Sequence, residues 1–346
     1  MGRFTMKALV TGANGHIGCN LVPALAARGY EVYASVRSLG DSRNALLEAI
    51  PGVELVELDV RDADRFRALC ENVDTLFHLA ATYAYFNGDR TTDEDVVSDS
   101  VTGAEAAVRA AARQVRKMVM TSSVVTLPMS KPGDAPATEA DWRTDLDVPY
   151  FRAKTIAERR AWELADQYSV KLVTVLPGCV GGPGFPRRTP TIDLFESIML
   201  GTLRFGAPKG NHPHVDIRDV VSAHILAAER DTTGRFIICN DTFPTIREMT
   251  ELMHEIDPSI PRSRWHLPDF LSPVLPYIDQ LNSRTLGSPR TLTPELVESV
   301  HGRLFSASNA RARAELGWSP QIPIRQSLSD TIDAIRELRR AEGKNA

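Results

Sequence analysis

Cysteine is scarce and scattered in this chain. Only Cys19, Cys70, Cys179 and Cys239 occur in 346 residues, with no Cys-x-x-Cys pair and no Cys/His cluster. That pattern argues against a disulfide framework or a zinc ribbon and predicts reduced, mostly buried thiols; no metal site is read. Long apolar runs are missing as well. None approaches the about 20 residues that a membrane-spanning helix needs, and no membrane partner is expected. The basic residues form no block and the net charge is −4, so nothing points to a nucleic-acid partner. Met1 to Met6 is short and polar and leads directly into a strand pattern, so no leader is read and a cytoplasmic location is expected. No internal repeat or low-complexity tract occurs. What remains is the composition of an ordinary globule, 43% hydrophobic and 24% charged. Its length exceeds most single cores, which predicts two joined domains.

The patterned part begins at once. Lys7 to Thr11 is a short apolar strand. It runs through Gly12, Ala13, Asn14, Gly15, His16, Ile17 and Gly18 into a helix carrying Leu21, Val22, Leu25 and Ala26. Strand, glycine-rich turn and helix in that order are the context of a dinucleotide site. The glycines permit a tight turn and close approach to pyrophosphate, and the helix N-terminus supplies N–H groups and a positive dipole end. A second strand, Glu31 to Val36, ends in Arg37. An NAD site usually carries an acid there for the ribose 2′-hydroxyl; a guanidinium suits the 2′-phosphate of NADP instead, with Arg43 as a possible helper. NADP(H) is therefore preferred and NAD(H) remains open. Asp59 and Val60 follow the strand from Val53. Asp59 reads either as a contact to the adenine edge or as a helix cap for the segment from Asp62. The strand from Thr75 ends in Leu79, Ala80 and Ala81, small residues past which a cofactor can run. His78 within it reads as a hydrogen-bonded core histidine. Tyr83, Tyr85 and Phe86 lie in the next loop, and either line a substrate pocket or pack beneath the loop.

The strand from Lys117 delivers Thr121, Ser122 and Ser123. A hydroxyl at this end of a strand reaches the ligand crevice or satisfies local backbone groups. After an irregular stretch from Leu127 comes Pro149, well suited to a helix start, then Tyr150 and Lys154. Four residues apart on a helix, these two share a face. A cation held beside a phenol favours phenolate and makes the tyrosine a usable proton donor. Ala153, Ala157, Ala161, Leu164 and Tyr168 form the apolar stripe behind them. A sixth strand from Lys171 is expected to break at Pro177 and Gly178, with Val180 just beyond. His214 to Ile217, the helix to Glu229 and the strand Arg235 to Cys239 are expected to return to the main domain.

Thr11-Gly12-Ala13-Asn14-Gly15-His16-Ile17-Gly18, Asp59-Val60, His78-Leu79-Ala80, Thr121-Ser122-Ser123, Tyr150-x-x-x-Lys154, His214-Val215-Asp216-Ile217-Arg218-Asp219-Val220 and Leu316-Gly317-Trp318-x-Pro320 together resemble the extended short-chain dehydrogenase/reductase (NAD-dependent epimerase/dehydratase) superfamily, over nearly the whole chain. Ala34-Ser35-Val36-Arg37 and the serine context are most similar to its dihydroflavonol reductase and cinnamoyl-CoA reductase-like branch. The resemblance implies an α/β fold, a Rossmann-type doubly wound parallel sheet with a smaller, discontinuous C-terminal substrate domain. The expected division is 1–176 with 213–240 for the dinucleotide domain, 177–212 and 241–320 for the substrate domain, and 321–346 for a C-terminal helix. It also implies roles. Ser123 would bond the substrate oxygen, Tyr150 act as acid/base, and Lys154 hold the nicotinamide ribose and lower the tyrosine pKa. Gly12, Gly15 and Gly18 would hold the pyrophosphate, Arg37 the 2′-phosphate, and Pro177 and Gly178 would border the nicotinamide. One departure is visible: Ser100 stands where that superfamily usually has asparagine. The expected reaction interconverts a carbonyl with an apolar or aromatic body and its alcohol. The alternative is a nucleotide-sugar epimerase or dehydratase, with Arg187, Arg188 and Arg204 as candidate diphosphate ligands. A monomer or homodimer is expected.

Overall fold

The computed structural model describes residues 6–81 and 92–343. Seven parallel strands form the central sheet: β1 (Lys7–Thr11), β2 (Glu31–Val36), β3 (Val53–Glu57), β4 (Thr75–His78), β5 (Lys117–Thr121), β6 (Leu172–Pro177) and, skipping two short strands, β9 (Gly234–Ile238). Their spatial order is β3-β2-β1-β4-β5-β6-β9. The order reverses between β1 and β4, and this switch point is where an open α/β sheet binds its ligand, beyond the carboxyl ends of the strands. Continuous apolar runs such as Leu172 to Leu176 suit strands covered on both faces. One face is packed by the helices His16–Ala27 and Ile217–Glu229, the other by Asp93–Ala111 and Pro149–Tyr168.

Two expectations are corrected. The segment after β6 does not merely break. Cys179–Gly181 forms β7, which pairs in parallel with β8 (His214–Asp216) in a separate two-stranded sheet. His214 to Asp216 thus lies outside the seven-stranded sheet, while Val215 and Ile217 pack in the core beside it. The pairing rests on a close approach in which Cys179 N–H donates to Pro213 O at 2.7 Å. A Cβ on Gly178 would stand 2.0 Å from that same oxygen, so only glycine fits. Tyr168, placed on the buried stripe, is exposed at the last turn of its helix, whereas Ala153, Ala157, Ala161 and Leu164 are buried.

Away from the sheet, a further core joins Phe185, Ile192 and Phe195 to Met249 and Met253, and to Leu328 and Ile332 of the C-terminal helix Ile324–Ala341. The Leu316-Gly317-Trp318 turn is tied to the main core. Trp318 is buried and its Nε1 donates to Asp219 O at 2.9 Å, while the Asp219 carboxylate accepts from the N–H groups of Gln321 and Ile322. No helix among the described residues is long and apolar enough to cross a membrane.

Candidate active site

At the switch point a threonine hydroxyl fastens the ends of β1 and β4. Thr11 Oγ1 accepts from Leu79 N–H and Ala80 N–H, both at 3.2 Å, and bonds His78 Nδ1 at 3.0 Å. Having accepted twice, the hydroxyl donates to the ring, which stays neutral. Burial, and then the charge of Lys154, push the His78 pKa down to about 3. His78 is the bonded core histidine expected. The staple carries Gly12 against Ala80. A Cβ there would lie 3.0 Å from Ala80 Cα and N, at a φ of +67°. Gly18 is equally constrained, since its Cβ would meet Ala13 O at 2.4 Å. Gly15 is the N-cap of the first helix and supplies no side-chain cap, so the opening amides and the positive dipole end are left for a ligand. These features fit a dinucleotide pyrophosphate. His16 ties the turn to the next wall: its Nε2 lies 3.2 Å from Pro183 O and its ring meets Phe185 edge-on.

On the other side β5 delivers Ser123, the cap of the short turn Val124–Thr126, whose Oγ accepts from Val125 N–H at 3.3 Å. The same residue also lines the crevice. Pro149 opens the next helix as its first residue. Tyr150 and Lys154 are buried on its inward face. Lys154 Nζ donates to Thr121 O at 3.4 Å. Burial lowers the Lys154 pKa to about 8, opposed by the nearby charge of Glu158. Thr121 is itself held: its hydroxyl pairs with His224 Nε2 at 2.7 Å, and His224 Nδ1 pairs with Val220 O at 2.8 Å. Nδ1 must donate to a carbonyl, so Nε2 accepts from the threonine.

Beneath the serines lies a buried ion pair that the sequence reading missed. Glu158, one turn after Lys154, accepts from Ser122 Oγ at 2.6 Å, Thr174 Oγ1 at 2.7 Å and Arg235 Nε at 3.0 Å. Arg235 also donates to Glu139 O, Asp141 O and Thr126 Oγ1, and stacks on Trp142 at 3.7 Å. The irregular stretch before Tyr150 is thus bonded to the sheet at several points. The signal was present, for Glu158 stands beside Ala157 and Ala161 on the buried side of the helix and Arg235 sits in a strand.

One crevice is lined by Gly12, Gly15, His16, Ile17 and Gly18, by Leu79 and Ala81, by Thr121, Ser122, Ser123, Tyr150 and Lys154, and by Pro177, Gly178, Val180, Arg187, Thr189 and Thr191. Some expected residues stand outside it. Asn14 is bonded to Asn44 Oδ1 at 3.0 Å. Ala80 backs Gly12, and Val60 packs toward Gly103. Asp59 is no helix cap, because Asp62 performs that role for Ala63–Cys70. Its carboxylate is held by Arg61, which with a smaller contribution from Arg37 takes its pKa down to about 2. Tyr83, Tyr85 and Phe86 lie outside the described residues. Ser100 is buried with its hydroxyl unpartnered among the described residues.

Arg37 is exposed at the end of β2 and makes no hydrogen bond or ion pair to a described residue. Arg43 is bonded to Asp41, with Nε at 2.8 and 2.9 Å from its two oxygens. Arg187 joins them. Its pKa is lowered by burial and then by repulsion from Arg43 and Arg37. Of the three, Arg187 lines the crevice. Arg188 and Arg204 do not take part: the first is paired with Glu196 and Glu342, and the second stacks over Phe205.

Residues 8–239 match the model of the NAD dependent epimerase/dehydratase family. Cinnamoyl-CoA reductase 1 of Arabidopsis thaliana is 31% identical over 270 residues, covering 73% of this chain and 75% of the plant protein. The bifunctional dihydroflavonol 4-reductase/flavanone 4-reductase of Malus domestica is 28% identical over 295 residues, covering 79% of this chain and 83% of its own. Among solved structures, UDP-glucose 4-epimerase of Thermotoga maritima superposes with a TM-score of 0.75 at 21% identity, over 96% of this chain and 99% of that one, a likeness of fold.

Proposed function

Because the chain belongs to the NAD-dependent epimerase/dehydratase family and is an NAD(P)-dependent short-chain dehydrogenase/reductase, we propose that it interconverts a ketone or aldehyde of apolar or aromatic body and the corresponding alcohol, with NADP(H) preferred over NAD(H). The observation that carries the reading is that the glycine-rich turn and the group Ser123, Tyr150 and Lys154 line the same crevice. When bound, the nicotinamide supplies or accepts the hydride. Ser123 donates a hydrogen bond to the substrate oxygen. Tyr150 gives that oxygen a proton in reduction and takes it back in oxidation. Lys154, with its pKa near 8, is largely cationic at neutral pH and stabilises the phenolate. Pro177, Gly178 and Val180 wall the nicotinamide end, and the N-terminal amides of the first helix hold the pyrophosphate.

Cofactor preference is assigned to the arginine group. Arg37 makes no ion pair with a described residue, and the Arg187 guanidinium feels its charge, whereas Arg43 is paired with Asp41. The segments 177–212 and 241–320 are proposed as the substrate-binding part, closing over the dinucleotide domain. The epimerase alternative is weaker, because two of its three candidate diphosphate arginines are engaged elsewhere. Fluorescence titration tests the preference. Wild type is expected to bind NADPH more tightly than NADH, and Arg37→Asp is expected to remove that difference. Tight NAD retention by the purified protein, or a preference for NADH in wild type, would move the epimerase reading forward.

A further inference from the structure

The helix Leu275–Leu286 is turned the wrong way for a globular protein. Val274 just before it, then Tyr277, Ile278 and Leu281, follow the i, i+3, i+4, i+7 spacing of an apolar stripe, and all four are exposed. Soluble proteins rarely leave such a stripe facing water without a use. It is continuous with a neighbouring segment. Phe205 and Ile278 line one groove, with Leu267 and Leu275 at its floor. Ala207 N–H donates to Trp265 O, and Lys209 reaches Asp269 at 2.9 Å, next to Phe270. Phe205, Trp265 and Phe270 are each more than 70% exposed, at 77%, 71% and 78%.

Charge selects the occupant. Residues 201–210 and 261–285 carry exposed Arg204, Lys209, Arg262, Arg264 and Arg284, five cations against the two carboxylates Asp269 and Asp279, in a chain of net charge −4. Asp269 is already engaged by Lys209, and Asp279 accepts from Thr291 and Leu292. A second copy docked by two-fold symmetry would set this cationic surface against itself. An anionic lipid surface answers it, and exposed aromatic and aliphatic side chains beside arginines suit the interfacial layer, where rings and charged stems both find their solvent.

We propose that this surface seats the protein peripherally on an anionic membrane face, with the stripe of Leu275–Leu286 in the plane of the interface. This revises the expectation of no membrane partner, and it does not depend on the reaction proposed above. The test is co-sedimentation of the full chain with phosphatidylcholine vesicles, with and without phosphatidylserine, alongside analytical ultracentrifugation of the protein alone. Binding is expected only with phosphatidylserine present and should weaken as salt rises. Arg262→Ala with Arg264→Ala should weaken it about 25-fold, about fivefold for each charge removed near the surface. Phe270→Ser with Leu281→Ser should abolish retention at unchanged charge and unchanged melting temperature. Equal binding to neutral vesicles, or no binding to either, overturns the proposal. So does a dimer that the Phe270→Ser, Leu281→Ser variant converts to monomer, since that identifies a second copy as the occupant.

Discussion

Two surfaces of this molecule treat their side chains in opposite ways. Around the crevice, groups that burial would make costly are given partners: Glu158 has Ser122, Thr174 and Arg235, Thr121 has His224, and Thr11 has His78 and two backbone amides. Along 262–285 the reverse holds, and large apolar groups stand exposed beside arginines that make no ion pair with a described residue. The first arrangement fixes geometry. A half-satisfied polar network in a low-dielectric interior costs more than an apolar one, so a fully satisfied network holds Ser123 and Lys154 in one place. The second arrangement adds little to the stability of the monomer and leaves area for an encounter.

Substitutions should separate the two surfaces sharply. The largest loss is expected from Glu158→Ala, which strands the Arg235 guanidinium in the interior. Breaking a buried pair from one side costs about 3–5 kcal/mol. Urea unfolding reads it, and a loss below a tenth of that would mean that solvent reaches Arg235 and the network is not rigid.

Acid should act next, and through the same interior. Burial holds His16, His214 and His224 to pKa values of about 4, and His78 and His212 to about 3, against a usual 6.5. Between those values the unfolded chain binds more protons than the folded one, so stability rises with pH. The contribution of these rings is full above 6.5 and is lost as pH falls toward 4. Denaturant midpoints measured downward through that window should drop steadily, and a flat response would contradict the burial of these rings.

The smallest effect is expected at the outer surface. Leu281→Ser should change unfolding stability by no more than about 0.5 kcal/mol, as for an exposed position with no partner. A loss approaching that of Glu158→Ala would show that the stripe is covered in solution.

Legibility in the sequence follows the same division. The strands were readable where burial on both faces demands continuous apolar runs, as in Lys7 to Thr11 and Glu31 to Val36, both found with those bounds. The glycine turn was readable because Gly12 and Gly18 tolerate no Cβ. That Tyr150 and Lys154 share a helix face was readable from their spacing, but spacing alone did not single them out, and the motifs along the rest of the chain were needed to do so. The strand pair Cys179–Gly181 and His214–Asp216 was not, since three residues carry no periodicity and their pairing depends on the close pass of Gly178 by Pro213. The Glu158–Arg235 pair was hidden because its members are 77 positions apart, and only the fold brings them together. Arg187 was singled out for a diphosphate, but its grouping with Arg37 and Arg43 is tertiary.

The central claim is that the crevice is a reductive centre with Tyr150 as its proton donor. The most direct test compares wild type and Tyr150→Phe in two readouts: NADPH affinity by fluorescence titration, and turnover on a panel of aromatic and aliphatic aldehydes and ketones. The account predicts that the variant loses turnover and keeps cofactor affinity nearly intact. A variant that retains most of the wild-type turnover would remove Tyr150 from the reaction.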